Sequence, residues 1–218
     1  LQADAEPLLL NSWRVWGDRV EPDALAMLSR CRKQLSAIIT LHSNPTTGLV
    51  AYDAVAADPA FLAFEEAVCE VQAVQLPSMP PDARLAFVLN LYNLCILHAF
   101  AKLGRPESTL SRMSFFNNVA YTVGGLVYSF SELESGVMRS NRAAPFTFSA
   151  PFRPRDPRRS AVLPACDPRI HFALNCGAKS CPPIKTFTAS AVQEELRVVA
   201  LAFCEQESNL RIDIAKRT

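Results

Sequence analysis

The residues best suited to chemistry lie close together near the end of the chain, in the run Asp167-Pro-Arg-Ile-His-Phe-Ala-Leu-Asn-Cys-Gly-Ala-Lys-Ser-Cys-Pro-Pro183. His171 precedes Cys176 by five positions and Cys181 by ten. A thiol is a good nucleophile at neutral pH only when a base or a cation favours the thiolate. Cys176 is therefore the leading candidate nucleophile, His171 its base, Cys181 the alternative nucleophile and Lys179 a cation within reach of either. The chain has only three histidines, His42, His98 and His171, which narrows any acid–base scheme. Read as a strand, Ile170 to Leu174 puts His171, Ala173 and Asn175 on one face and Phe172, Leu174 and Cys176 on the other. His171 and Cys176 then meet only if the chain turns between Asn175 and Gly177, where the glycine permits a turn. The bland reading of the same residues is a hydrogen-bonded core histidine and inert packed thiols. Cys176, Cys181, His171 and His98 are zinc-ligand types, but no second closely spaced pair completes a structural site, so no metal or other cofactor is expected. Cys176 and Cys181 also lack the Cys-x-x-Cys spacing of a redox motif.

A second polar set sits within a nearly all-apolar stretch. Asn90, Leu94 and His98 fall at i, i+4 and i+8, on one helical face, with Asn93 beside Asn90. A buried amide needs partners, because leaving one unpaired costs about 1–3 kcal/mol. Either these amides tie loops to the core, or one of them donates to an oxyanion or orients a histidine. Glu134 has two readings as well. Ser131 with Glu134 has the spacing of a capping box, which would spend that carboxylate on its own helix start. Ser129 with Glu132 fits equally and leaves Glu134 to orient His171. Arg139, Asn141 and Arg142 form a compact polar group suited to gripping a substrate carboxylate, or else a solvated helix end.

The elements that must position these residues are mostly helical at first. Pro22 opens a periodic stretch from Asp23 to Leu41, and Asp58-Pro59 opens another with Phe61, Leu62, Phe64, Val68 and Val71 on one face. After the rigid turn at Pro77, Pro80 and Pro81 comes the strongest helix, Asp82 to Lys102, closed by Gly104 and Pro106. It is apolar nearly all round, which predicts central burial. Val119 to Val123, Gly124-Gly125 and Leu126 to Ser129 predict a β-hairpin, and a short helix is expected from Ser131. Asn141 to Pro168 is read as a long loop, Ser190 to Glu205 as an amphipathic helix and Asn209 to Ile214 as a last strand. The fold class is α+β: a buried central helix packed on a small antiparallel sheet, with a helical N-terminal part. Residues 1–80 are expected to pack as a helical segment on a core unit formed by 81–218.

Composition bounds the function. The 218 residues are half hydrophobic and carry a formal net charge of +1, with basic and acidic residues interspersed. No basic stripe points to nucleic acid. The longest apolar run, Leu85 to Leu97, is interrupted by Asn90 and Asn93, so no membrane association is expected. Seven cysteines, with Cys69, Cys95 and Cys204 on apolar helical faces, suggest a reducing intracellular compartment, cytoplasmic or organellar. No secretory signal is visible, and a start at Leu1 suggests a piece of a longer protein with flanking domains.

Several blocks together resemble the family known as domain of unknown function 547. They are Ala86-Phe-Val-Leu-Asn-Leu-Tyr-Asn93 with His98, Tyr121-Thr-Val-Gly-Gly125, Ser129-Phe-Ser-Glu-Leu-Glu134 with Gly136, Arg139, Asn141, Arg142 and Pro145, and the Asp167–Pro183 run. The resemblance covers roughly Asp82 to Phe203. It places Asn90, Tyr92, Asn93, Glu134, Arg139, Arg142, His171, Cys176 and Cys181 at motif positions, and adds Tyr92 to the substrate-binding group. The chain departs from the pattern at Ser135, often histidine in such proteins, at Val88, usually aromatic, and at Asn175, often apolar. Such domains look like rearranged, distant relatives of papain- and transglutaminase-type folds, and look as if they occur fused to glutaredoxin-like modules in algae and coiled coils in plants. The resemblance implies a cysteine-dependent enzyme acting on an amide or thioester of a small peptide, with a thiol-containing peptide such as glutathione as the substrate guess, by hydrolysis, acyl transfer or cyclisation. In that scheme Cys176 attacks, His171 takes its proton, Glu134 orients His171, and Asn90 or Asn93 holds the oxyanion. Arg139, Asn141, Arg142 and Lys179 bind substrate. The rival expectations are a non-catalytic protein-interaction module and a zinc-binding domain.

Overall fold

In the computed structural model, which describes residues 6–16, 23–144, 147–177, 181 and 184–210, the order of elements is β1 (Leu8–Leu9), α1 (Ala24–Leu41), α2 (Tyr52–Ala57), α3 (Pro59–Ala67), α4 (Pro81–Leu103), α5 (Thr109–Asn118), β2 (Val119–Val123), β3 (Leu126–Ser129) and α6 (Val192–Cys204). Short 3₁₀ turns cover Val68–Ala73, Leu76–Ser78, Pro157–Ala161 and Pro168–Phe172, and a π-helix covers Glu132–Met138. The fold is α+β, and α4 is its axis. Helices α1 and α2 pack against α4, and the π-helix and α6 cover it from other sides. Of α4, every residue from Arg84 to Ile96 is buried. The helix is long and apolar enough to cross a membrane, more so than its interrupted sequence suggests, but it is enclosed by the rest of the chain. Its start follows from Pro81 at the first turn, where a missing N–H costs nothing, and its end from Gly104 at positive φ.

The sheet is mixed rather than purely antiparallel. Strands β2 and β3 form the expected hairpin, pairing Ala120 with Ser129 and Val123 with Leu126. Strand β1, too short to show a period, adds parallel to β2 with Leu8 opposite Val119. Next to it Asn11 extends the edge: its Nδ2 donates to the Thr122 carbonyl at 2.8 Å and its Oδ1 accepts from the Thr122 amide at 2.9 Å.

Ile170 to Leu174 is not a strand. Asp167 caps a 3₁₀ turn by accepting from the Arg169 amide at 2.9 Å, with Pro168 at its first position. Ile170, Ala173 and Leu174 are buried while His171 is exposed. That is helical i, i+3, i+4 spacing, which a five-residue window mistakes for alternation. The turn packs on α6, where the Phe172 and Phe203 rings lie 5.1 Å apart. The loop from Asn141 is pinned as well as long, because Asn141 pairs with both backbone groups of Phe152, whose ring is buried. Leu62 and Cys204 are exposed rather than on buried faces. The expected last strand falls mostly outside the described residues.

Candidate functional site

The first support of the site is α4. Asn93 lies on its buried face and reaches across to the segment after the 3₁₀ turn: its Nδ2 donates to the Ala173 carbonyl at 3.0 Å, and its Oδ1 accepts from the Asn175 amide at 2.9 Å. One turn earlier, Asn90 donates to the Phe187 carbonyl at 2.7 Å and accepts from the Phe187 amide at 2.9 Å. Both side-chain amides therefore hold backbone segments on either side of the cysteines. Of the two readings open at the outset, the structural one describes these contacts, and each Nδ2 carries a second N–H beyond the one donated to backbone.

Beyond Asn175 the chain turns sharply. Asn175 Oδ1 accepts from the Gly177 amide at 2.9 Å, and Gly177 has φ +79°, a region that side chains disfavour. A Cβ on Gly177 would sit 2.6 Å from Cζ of Phe100, so this residue must be glycine on both counts. Two arginines that sequence reasoning missed clamp the turn. Arg112, from α5, donates to the Cys176 carbonyl at 3.0 Å, and Arg105 donates to the Gly177 carbonyl at 3.3 Å. The only signal for them was a basic residue just past the end of α4 and another in the following helix.

The turn brings the two thiols together. Cys176 Sγ and Cys181 Sγ are 3.4 Å apart, and the Cys176 amide donates to Cys181 Sγ at 3.2 Å. Both residues are partly exposed, and no disulfide joins them. Lys179 lies outside the described residues.

Glu134 enters from the π-helix. The capping box at the start of that element is Ser129 with Glu132, since the Ser129 amide donates to Glu132 Oε2 at 2.9 Å and the Glu132 amide donates to Ser129 Oγ at 3.2 Å. Glu134 is thus not spent on a cap. Its Oε1 lies 3.8 Å from His171 Nδ1, too long for a hydrogen bond but within reach of an ion pair. The π-helix itself is an uncommon element, enriched at functional sites. It packs closely, since a Cβ on Gly136 would lie 2.4 Å from Cζ of Phe152.

Tyr92 connects the two halves. It is buried, and burial pushes its phenol far above the ordinary range, with the charges of Glu134, Cys176 and Cys181 adding to the effect. Of the expected carboxylate grip, Asn141 is spent on Phe152, Arg139 donates to Ser135 Oγ at 3.3 Å, and Arg142 is exposed. A cavity of about 380 Å³ opens beside the π-helix, lined by hydroxyls of Ser129, Ser131, Ser135 and Thr147 and by Arg153. Among the described residues, no group of three or more His, Cys, Asp or Glu stands where it could share a metal ion.

The third histidine after His171 and His42 serves elsewhere. His98 Nδ1 lies 2.5 Å from the Tyr121 hydroxyl and Nε2 lies 3.4 Å from Glu65 Oε1, which also accepts from the Lys102 ammonium. This buried polar chain ties α3, α4 and β2 together and is remote from the role of a general base.

No curated protein and no solved structure matches the chain. One family does, over residues 76–204, from the turn before α4 to the last residue of α6. The matched span contains Asn93, Glu134, His171 and both site cysteines, and by it the chain belongs to the family described as "Protein of unknown function, DUF547".

Proposed function

We propose that the protein is a cysteine-dependent enzyme acting on an amide or thioester of a small peptide, by hydrolysis or by transfer of the acyl group to an amine. The observation that carries this reading is a carboxylate and an imidazole 3.8 Å apart, Glu134 and His171, with the Cys176/Cys181 pair, 3.4 Å apart, in the same run as that histidine. An orienting carboxylate, an imidazole open to solvent and a backbone-clamped thiol are the parts that acyl transfer uses. Cys176 gives its proton to His171 and its sulfur bonds to the carbonyl carbon. His171 returns the proton to the leaving amine or thiol, and water or an amine then releases the acyl group from sulfur. In this reading Asn90 or Asn93 helps hold the oxyanion, through the second N–H of its side-chain amide. The preference for thiol-containing peptides such as glutathione comes from the family resemblance.

The test is turnover of a panel of short peptide thioesters and amides by the purified chain. Cys176→Ala is expected to abolish turnover, and His171→Asn to lower it by about 10²–10⁴-fold. Turnover undiminished in both Cys176→Ala and Cys181→Ala sinks the proposal. The rival reading, a non-catalytic interaction module, draws on the two asparagines whose side chains bind backbone and pack the motif. It requires both thiols to resist alkylation in the folded protein.

A further inference from the structure

Two thiols in contact can do what neither does alone. The sulfurs of Cys176 and Cys181 stand 3.4 Å apart, within the range of about 3–3.5 Å at which bound reactants are poised to combine. A disulfide bond needs them at about 2.05 Å, so bridging asks for a small contraction of side chains already in place. Cys176 is fixed from three directions, through Asn93 holding Asn175, Arg112 on its own carbonyl and Arg105 on Gly177. The Cys176 amide points at Cys181 Sγ. The five remaining cysteines are differently placed: Cys31, Cys69 and Cys95 are buried inside the core, Cys166 is partly exposed just before Asp167, and Cys204 is exposed at the end of α6.

We infer that Cys176 and Cys181 form a dithiol–disulfide centre that closes by exchange with a low-molecular-weight disulfide. One protein thiolate attacks a sulfur of the small disulfide. That S–S bond breaks, one small thiolate leaves and takes up a proton, and a mixed disulfide forms on the protein. The second protein thiol then loses its proton and attacks the protein sulfur of the mixed disulfide, expelling the second small thiolate, which is protonated in turn. The protein pair is oxidised by two electrons, and the small disulfide is reduced to two thiols. Because the second attack is intramolecular and prepositioned, with effective concentrations that reach about 10⁵ M or more in well-oriented cases, the mixed disulfide does not accumulate. Bridging occupies the proposed nucleophile, so the centre switches the site off when oxidised. That consequence rests on the proposed function, whereas the bridge itself does not.

The experiment treats the folded full chain with excess hydroxyethyl disulfide at neutral pH, quenches with acid, alkylates the remaining thiols and maps the peptides by mass. The expected result is a Cys176–Cys181 bridge with no probe adduct on either residue, while the exposed Cys204 carries an adduct. Cys176→Ser and Cys181→Ser, each first checked for an unchanged melting temperature, are expected to leave a lasting adduct on the surviving thiol. Lasting adducts on both thiols of the unmutated chain, or no reaction at either while Cys204 reacts, overturn the inference. Bridging without any peptide turnover upholds the redox centre and counts against the enzyme. Turnover that survives complete bridging overturns the switch.

Discussion

At the scale of single residues, the asparagines teach most. Asn11, Asn90 and Asn141 each offer one amide to both the N–H and the C=O of a single distant residue, imitating one rung of a sheet. Asn93 does the same across the Ala173 carbonyl and the Asn175 amide. The sequence marks such residues as unusual, since amides in an apolar helix must be satisfied. It does not say by what, because the partners of Asn90 and Asn93 lie more than 75 positions away. Replacing Asn93 by Ala removes both bonds and is expected to cost about 1–3 kcal/mol and to loosen the cysteine turn. The first effect is read in the melting temperature. The second is read as a raised hydrogen-exchange rate at the Asn175 and Cys176 amides. Gly177→Ala meets both a disfavoured backbone and the Phe100 ring. Its expected cost is of similar size, about 1–3 kcal/mol, measured by urea unfolding.

Among the elements, those with many repeats of their period were legible. Helices α1, α4 and α6 and the β2–β3 hairpin lie within a few residues of their expected ranges, because each shows several turns of periodicity or a glycine turn between alternating segments. Around the site the helix from Ser131 was legible, but its π form and the 3₁₀ turn were not. A 3₁₀ turn of five residues offers too little period to be told from a strand, and a π-helix shares the composition of an α-helix. The π-helix has consequences of its own. Its start rests on the Ser129/Glu132 box, and Glu132 also accepts from Arg158 at 2.7 Å. Glu132→Gln keeps the shape, weakens both contacts and is expected to destabilise by about 1 kcal/mol. Gly136→Ala forces a methyl group into Phe152 and is expected to cost about 1–3 kcal/mol by overpacking. If Glu134 acts through His171, Gly136→Ala also shifts the pH profile of turnover, which a purely structural role for the π-helix leaves unmoved.

For the molecule as a whole, the core is one connected cluster running from Leu10 to Val199, with α4 at its middle, the polar chain of Glu65, His98 and Tyr121 inside it and Lys102 reaching Glu65 from the surface. Burial holds His98 below its ordinary range, against the pull of Glu65. Burial pushes Glu65 up, but the hydrogen bonds from His98 and Lys102 outweigh it and leave the carboxyl low. Both groups bind protons more weakly when folded, so acid favours unfolding. The His98 contribution is present above about pH 6.5 and fades as pH falls below that value, and the Glu65 contribution fades at still lower pH, as its folded carboxyl titrates. His98→Gln is expected to flatten the first decline of the melting temperature with falling pH, and Glu65→Gln the second. An unchanged acid profile in both variants shows that this chain does not set the acid limit. Helix α4, finally, has the length and hydropathy of a membrane span and is safe only because other segments enclose it. The chain leaves the ribosome in order, so α1 to α3 are ready when α4 emerges, whereas the π-helix and α6 are synthesised later. During that interval α4 is only partly covered, and its apolar surface waits for partners not yet made. Slowing translation after α4 has emerged and before α6 is made is therefore expected to raise aggregation of the nascent chain, read by sedimentation.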